Sequence, residues 1–457
     1  MSILDLNGNI MNDEDGLNII NGSTYKVRIA KTTKQNEEVD FRESSNETKG
    51  KYLIYPSSVG LSPTTESLSK EYIGTQTSEH YLGATTYAGD ITFGAFPNTN
   101  SYYSSLIWAN VIKKETTGSI ICINSDKPFS IYFNKNDENK ISFVEIIREN
   151  ENSYTSNFIN IFEGATQKYF IEELNKITNI KAMLIIGNEN NELNFDALLE
   201  ECDDELVLSF NRVGFIETSI FSEEEKSKYP KYQNIIAPRF GETQYYNLAI
   251  SNNNNIDGVQ YIGCESKSIN FNFANKSITT ISSSLWALDE KEIKAEEKLI
   301  EDRVEERDVV MAQTSKYPTK LYINGVEATS ITDISIAFEW TKEEKYNISA
   351  KRYNIPNSKF TLTFSGNAIF NSQSKEFFYN KVLNGDRQSF VIYSNTKFKN
   401  KEYPFIFISN DVSGSPSTPT IEPKELYISL NNFKAIEKSE DKNSNYLLTF
   451  TDREDLF

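Results

Sequence analysis

The chain contains one histidine, three cysteines and no nucleotide-binding motif in its 457 residues. With His80 alone, a metal site built from several histidines is excluded. His80 lies beside Glu79 in a polar stretch, and we interpret it as a surface side chain. Neither Gly-x-x-x-x-Gly-Lys-Ser/Thr nor Gly-x-Gly-x-x-Gly occurs, so no cofactor is predicted.

Cysteine usage and hydrophobic runs exclude two further classes of protein. Cys122, Cys202 and Cys264 are odd in number, far apart and outside any Cys-x-x-Cys spacing, which predicts reduced, buried thiols and no disulfide framework. The first residues carry neither a basic stretch nor an apolar core, and no window is long enough to cross a bilayer. The sequence therefore predicts synthesis in a cytoplasm and no membrane partner.

Acidic residues are abundant, and they argue against tight binding to nucleic acid. The 65 acidic and 47 basic side chains give a net charge of −18, which repels phosphates. The clusters at 200–205 and 333–339 lack the spaced oxygens and glycine of a calcium loop, so we expect solvated faces and no metal. A carboxylate pair could hydrolyse glycosides, but with this many carboxylates such a pair is weak support for an enzyme.

The same order of β-rich elements occurs twice along the chain. The first copy has a strand leading into a long polar loop at 57–88, an alternating strand through Ile91 and Phe93, and an apolar helical run at 102–112. The second copy has a strand at 334–340, a polar loop at 341–357, an alternating strand at 358–365 and a short helix at 377–383. A duplicated sheet without a catalytic motif predicts a building block and no enzyme.

The pattern of elements predicts a mainly β fold with these domains: a first β unit at 1–125 plus 240–288, an α/β insertion at 126–239, a charged helical connector at 289–317, and a second β unit at 318–457. The insertion has helical spacing at 167–177 and 194–201 and apolar strands at 182–186 and 205–210. The connector carries the densest charge run of the chain. Asn324-Gly325 between strand residues predicts a hairpin at the start of the second unit.

Four segments together resemble bacteriophage tail tube proteins, in the long-tailed type in which one polypeptide carries two tube domains. They are Glu71-Tyr-Ile-Gly74, Gly89-Asp-Ile-Thr-Phe93, the strand from Tyr261 to Phe273, and the Leu321 to Glu327 hairpin followed by Ile334 to Phe338. The resemblance covers about residues 45–125 and 240–457, and the insertion lies outside it.

The resemblance implies a β-sandwich in each tube domain and a barrel that closes through neighbouring domains around a channel. Three copies would form a pseudo-hexameric ring, and rings would stack into a virion tail through which double-stranded DNA passes. Further partners would be a tape-measure protein, a tail terminator and baseplate or distal tail proteins. The long loops would reach the adjacent ring, and the insertion would decorate the outer wall, so that deletion of 126–240 should leave tubes intact.

Tyrosine and arginine concentrate in protein interfaces, so those in and near the two long loops are predicted contact residues. They are Tyr72, Ile73, Tyr81, Tyr87, Tyr346, Arg352 and Tyr353. Two other functions stay open from the sequence. A baseplate or tail-tip protein would use the insertion to bind a host surface or another tail protein, and it would be present in one ring instead of many. A glycan depolymerase would need a carboxylate pair in a cleft.

Overall fold

The computed structural model of the chain describes most of the sequence. The described residues are 25–42, 50–71, 78–96, 110–136, 140–150, 153–195, 206–237, 244–252, 258–274, 277–293, 299–301, 318–341, 345–346, 352–353, 359–416, 420–421, 426–430, 433–435 and 445–454. Within them the fold is mainly β, as predicted, and the sheets are antiparallel.

The strands are numbered in chain order. Those before residue 300 are β1 (Tyr25–Thr32), β2 (Lys51–Ile54), β3 (Ser58–Glu71), β4 (Ser78–Gly94), β5 (Asn110–Glu115), β6 (Gly118–Ser125), β7 (Phe129–Lys135), β8 (Ile141–Asn150), β9 (Ser153–Asn160), β10 (Ile180–Ile186), β11 (Leu206–Phe210), β12 (Val213–Ile220), β13 (Tyr232–Ala237), β14 (Tyr245–Asn252), β15 (Gly258–Ala274), β16 (Thr280–Ala287) and β17 (Asp289–Ile293). Those after it are β18 (Lys320–Ile323), β19 (Val326–Glu327), β20 (Ile331–Thr341), β21 (Lys345–Tyr346), β22 (Arg352–Tyr353), β23 (Lys359–Ile369), β24 (Gln388–Ser394), β25 (Lys397–Phe398), β26 (Lys401–Glu402), β27 (Phe405–Ser413), β28 (Thr420–Ile421), β29 (Leu426–Ser429), β30 (Phe433–Ala435) and β31 (Asn445–Thr451).

Among the described residues, the helices are few and short. They are α1 (Gln167–Lys176), α2 (Glu223–Lys226), α3 (Ser372–Lys375), a π-helical segment (Glu376–Asn380) and α4 (Lys381–Leu383). The hydroxyl of Thr166 caps α1 by accepting from the Tyr169 amide, which satisfies one of the free N–H groups at a helix start. The predicted helices at 167–177 and 377–383 are confirmed.

The first half of the chain forms a sandwich whose two layers share β15. The outer layer pairs in the order β2–β1–β14–β15–β17, and the facing layer pairs in the order β3–β4–β16–β15. β15 passes from one layer to the other near Gly263, whose φ of +63° suits glycine. Ile29 and Leu248 of the outer layer pack against Phe93 of the facing layer.

The second half continues the facing layer of the first. β20 pairs with β15 along seven residues, from Ser268↔Glu339 to Ala274↔Asp333, and β23 then pairs with β20. The resulting antiparallel sheet, β3–β4–β16–β15–β20–β23, runs through both halves, and we call it the long sheet. A second layer, in which β27 lies between β24 and β31, covers its apolar face, as in the Phe338–Phe407 ring contact at 5.8 Å.

The insertion is a small sandwich on the far side of that second layer. Its inner sheet is β10–β6–β12 and its outer sheet is β11–β7–β8–β9. The core between them includes Phe170 and Leu174 of α1, both fully buried. The opposite side of the inner sheet packs on the main body, where the Phe215 and Tyr446 rings are 6.0 Å apart.

Most predicted strands are confirmed, and so is the Asn324-Gly325 turn, which has φ values of +50° and +76° and joins β18 to β19. Two predicted helices are wrong where the structure describes them. Residues 110–112 of the run at 102–112 belong to β5, and residues 289–293 of the charged connector form β17, which pairs with β15. Four of the five residues of β17 are exposed, so the charges belong to a solvated edge strand. The helix predicted at 194–201 lies almost wholly outside the described residues.

The boundaries of the insertion also need correction. β6 was assigned to the first unit, but it pairs with β10 and β12 of the insertion. β13 was assigned to the insertion, but it lies between β5 and β31 in the second layer of the main body. Deletion of 126–240 would therefore remove a strand of the body itself, and the expectation that it is harmless does not hold.

Candidate functional site

One face of the long sheet is apolar and buried, and the other, which we call the polar face, carries small polar side chains. Strand alternation separates the two, as in β16, where Ile281 and Leu285 are buried and Ser282 and Ser284 point the other way. Strand pairing aligns the residues of the polar face in four rows, which are Asp90–Ser284–Ser268–Glu339–Thr361, Thr92–Ser282–Asn270–Ala337–Thr363, Gly94–Thr280–Asn272–Ser335–Ser365, and Ala274–Asp333–Asn367–Ser429.

Hydrogen bonds between side chains tie neighbouring strands together across the polar face. The Ser284 hydroxyl donates to Asp90 Oδ1 at 2.6 Å, and the Ser335 hydroxyl donates to Asn272 Oδ1 at 2.6 Å. The Asn367 amide donates to the Asp333 carboxylate at 3.2 Å. Short side chains held to their neighbours make a smooth surface with little freedom to reach outwards.

The polar face carries three carboxylates, Asp90, Asp333 and Glu339, in its four rows. Strand pairing continues the second row from Thr363 to Lys434 of β30. Lys267 lies at a bulge beside the first row, where its Nζ sits 4.7 Å from the centre of the Trp286 ring. Hydroxyls, amides and carboxylates make up most of this surface, whereas phosphates bind proteins mainly through lysine and arginine.

The long sheet ends in an open edge at β3. Within the part of the chain that the structure describes, β3 pairs with β4 and with no other strand. At the other end of the sheet, residues 363–364 of β23 pair with β30 and residues 367–369 pair with β29. Among the described strands, residues 359–362 of β23 pair with β20 alone, so this part of β23 is also an open edge. An open strand edge exposes backbone donors and acceptors that can pair with another chain.

The two predicted loops are hairpins in the structure. β3 and β4 stay paired from Ser58↔Thr92 to Glu71↔Ser78, and β16 accompanies β4 only as far as Tyr87. Beyond that point the pair forms a two-stranded arm, which we call the first arm, about 25 Å long at 3.3 Å per residue. In the second connection, β21 and β22 pair through Tyr346↔Arg352.

The prediction of loops failed because polar residues dominate the first arm. Thr64 and Thr85, near the base of the arm, are exposed, so no buried face marks the strand period there. Pro63 fits in β3 because β3 is an edge strand, where a missing N–H is tolerated.

The predicted contact residues are only partly described. Tyr72 and Ile73 lie outside the described residues, while Tyr81, Tyr346, Arg352 and Tyr353 lie on the strands of the two hairpins and their side chains are not described. Tyr87 stands where the first arm leaves the sheet, with its ring 6.2 Å from that of Tyr261. Burial, with the nearby carboxylates of Glu290 and Asp289, raises the pKa of the Tyr87 hydroxyl.

Sequence reasoning marked Asp333 and Glu339 as part of a solvated acidic cluster, but it did not single out the other residues of the polar face. Their signal is present in β15 and β16, where Asn270, Asn272, Ser282 and Ser284 alternate with large apolar residues. That pattern reveals a half-buried strand. It does not reveal that five strands from both halves align these residues side by side, because the pairing of β15 with β20 joins positions 59 to 71 residues apart.

Among the described residues, no group of histidine, cysteine and acidic side chains is arranged to hold a metal ion, and no helix is long and apolar enough to cross a membrane. Burial raises the pKa of the Cys122 and Cys264 thiols, which keeps both protonated and unreactive. Searches against protein-family models and curated proteins find no match to this chain.

Proposed function

We propose that this protein is the structural subunit of a phage tail tube, which assembles into stacked trimeric rings around a channel for DNA. The observation that carries the proposal is the polar face of the long sheet. A sheet that runs through both halves, with one smooth polar face and an open edge, suits the wall of a channel that closes through neighbouring copies.

Simple barrel geometry shows how many copies of the long sheet are needed to close a barrel around duplex DNA. Each chain supplies the six strands of the long sheet, spaced about 4.8 Å apart and tilted by about 40° in a barrel. Three copies then give a barrel about 36 Å across between backbones, whereas two copies give about 24 Å. Only the wider barrel leaves room for duplex DNA once the side chains of the polar face are subtracted.

The channel surface has the properties that passage of DNA requires. Its three carboxylates repel phosphates, and the side chains between them are mostly uncharged, with Lys434 of β30 following at the end of the second row. Its serine, threonine and asparagine side chains are short, and hydrogen bonds hold Ser284 to Asp90 and Ser335 to Asn272, which keeps the bore open. DNA could then slide without adhering.

The first arm extends the same sheet past the end of β16, so it would project from the rim of a ring towards the next ring. The insertion lies beyond the second layer of the body, on the side away from the polar face. In a closed tube it would therefore stand on the outer wall, clear of the bore.

The test is negative-stain electron microscopy of the purified protein together with its mass in solution. We expect hollow tubes, or rings with a mass three times the 52.2 kDa of one chain. A protein that stays monomeric at high concentration and forms no tubes would contradict the proposal.

A variant with a shortened first arm separates ring closure from the stacking of rings. Thr65 and Thr85 face each other across the first arm, so replacing residues 66–84 with Asn-Gly should close a short hairpin there without disturbing the sheet. We expect this variant to form rings that do not stack. Tubes of normal length from it would exclude the first arm from stacking.

A further inference from the structure

The outer sheet of the insertion exposes aromatic side chains on the face turned away from the body. Tyr154 and Phe158 on β9 are 72% and 63% exposed, and the Phe143 ring of β8 lies 5.9 Å from that of Phe158. Tyr132 of β7 joins them, because it is paired with Glu145, which is itself paired with Phe158. We call this surface the aromatic face.

The aromatic face is not a core surface left open by chance. The opposite side of the same sheet is fully packed, with Ile131, Val144 and Ile146 completely buried in the insertion core. Large exposed rings on a sheet that already has its core are unfavourable in water, and covering them lowers the free energy. The cluster therefore indicates a binding surface.

Polar groups on the aromatic face alternate with the rings. Its described residues are Val207, Ser209, Ser130, Tyr132, Asn134, Phe143, Glu145, Ile147, Glu149, Tyr154, Ser156, Phe158 and Asn160. They include two carboxylates and no lysine or arginine, which disfavours polyanions such as nucleic acid. Hydroxyl, amide and carboxylate groups beside rings match ligands that present both apolar faces and hydroxyl groups.

The size of the aromatic face argues against a second copy of the chain as its occupant. Eight paired residues along β8 and β9 at about 3.3 Å each, across four strands about 4.8 Å apart, give about 500 Å². A stable protein interface needs about 800 Å² from each partner. A flat area of this size suits a few residues of a linear polymer.

We propose that the aromatic face binds a neutral polysaccharide, such as one displayed on a cell surface. The C–H faces of sugar rings would stack on Tyr154, Phe158 and Tyr132, because the negative face of an aromatic ring attracts weakly positive C–H groups. Glu145, Ser156 and Asn160 would accept and donate hydrogen bonds to the sugar hydroxyls. This activity does not depend on the channel, and it holds whether or not the protein forms tubes.

The test is fluorescence anisotropy of labelled neutral hexasaccharides, namely cellohexaose, chitohexaose and mannohexaose, titrated with the full-length protein. At least one should bind, and the Tyr154→Ala/Phe158→Ala variant should lose at least tenfold in affinity. Leu383→Ala removes a side chain that is 62% exposed elsewhere on the molecule, and it should bind like the parent protein.

The other outcomes overturn the proposal. Binding to none of the three sugars would do so, as would equal binding by the parent and the double variant. Tighter binding to a sulfated hexasaccharide would contradict the charge argument. Association between copies that the double variant abolishes would show that the aromatic face is a protein interface. Circular dichroism of the double variant checks that it is folded.

Discussion

At the residue scale, one buried ion pair fastens the insertion to the body. Arg212, just before β12, bonds Asp411 of β27 at 3.1 Å, and the Asp411 side chain is only 3% exposed. Asn410 Oδ1 accepts from the amides of Arg212 and Val213 at 3.1 and 2.9 Å. Because two neighbouring residues of β27 hold one end of the insertion, the two parts should move together.

Replacing Asp411 with alanine should therefore be costly. The change leaves the Arg212 guanidinium, which is mostly buried, without its carboxylate, and we expect a loss of about 3 kcal/mol or more in the free energy of unfolding. Glu223→Ala is the matched control, because it breaks an ion pair with Lys226 whose side chains are 89% and 45% exposed, and it should cost less than about 0.5 kcal/mol. Urea unfolding measures both, and equal losses would contradict a special role for the buried pair.

Lys31 of β1 gives a prediction about pH. Burial lowers the pKa of its amine to about 7, whereas in the unfolded chain the amine keeps its ordinary value of 10.5. Between these values the unfolded state binds a proton that the folded state does not, so this group makes stability rise with pH in that window. Below about pH 7 both states are protonated, and the full cost of burying the charge is present.

Lys31→Met should therefore stabilise the protein by about 1–3 kcal/mol at pH 6, and the gain should shrink towards pH 10. Lys34→Met, at an exposed position nearby, provides the baseline for losing a lysine. Urea unfolding at pH 6, 8 and 10 measures the difference. A loss of stability at pH 6 would mean instead that the charged Lys31 amine stabilises the folded state.

At the scale of elements, the junction between β3 and β4 depends on glycine. A Cβ atom at Gly89 would lie 1.6 Å from the backbone oxygen of Gly60, and the backbone cannot yield that much without separating the strands. A Cβ atom at Gly60 would meet nothing within 4 Å. The two glycines are neighbours across the same ladder, yet only one is required there.

We expect Gly89→Ala to lower the free energy of unfolding by more than 2 kcal/mol, and Gly60→Ala to change it by less than 1 kcal/mol. Thermal unfolding compares the two. Hydrogen exchange should show that the loss is centred on β3 and β4. Similar effects from both substitutions would show that the strands can separate there at little cost.

How far the sequence predicts these elements depends on whether a strand has one buried face. β15 and β20 alternate apolar and polar residues and were predicted, as was the hairpin at Asn324-Gly325. The first arm, which is rich in polar residues, and β17, an edge strand rich in charge, gave no such pattern and were mistaken for a loop and a helix. The aromatic face was missed because its rings are spread over β7, β8 and β9, which only the fold brings together.

At the scale of the whole molecule, the structure shows where the insertion can be separated from the body. The Ser125 amide donates to the Arg212 carbonyl at 2.8 Å, so the end of β6 and the start of β12 already lie side by side. A cut at this point keeps β13 between β5 and β31, and it keeps the Arg212–Asp411 pair. A deletion of 126–239 removes all of these.

We therefore expect two deletions to behave differently. Replacing residues 127–211 with Asn-Gly makes a hairpin of β6 and β12, and Ile121, Ile123 and Ile216, which lose their cover, are changed to threonine. This variant should stay folded and still form rings or tubes, but it should lose sugar binding, because the aromatic face is gone. Deletion of 126–239 should give aggregated protein. Electron microscopy and anisotropy measure the two outcomes separately, and loss of assembly by the folded, shorter deletion would mean that the insertion takes part in the tube wall.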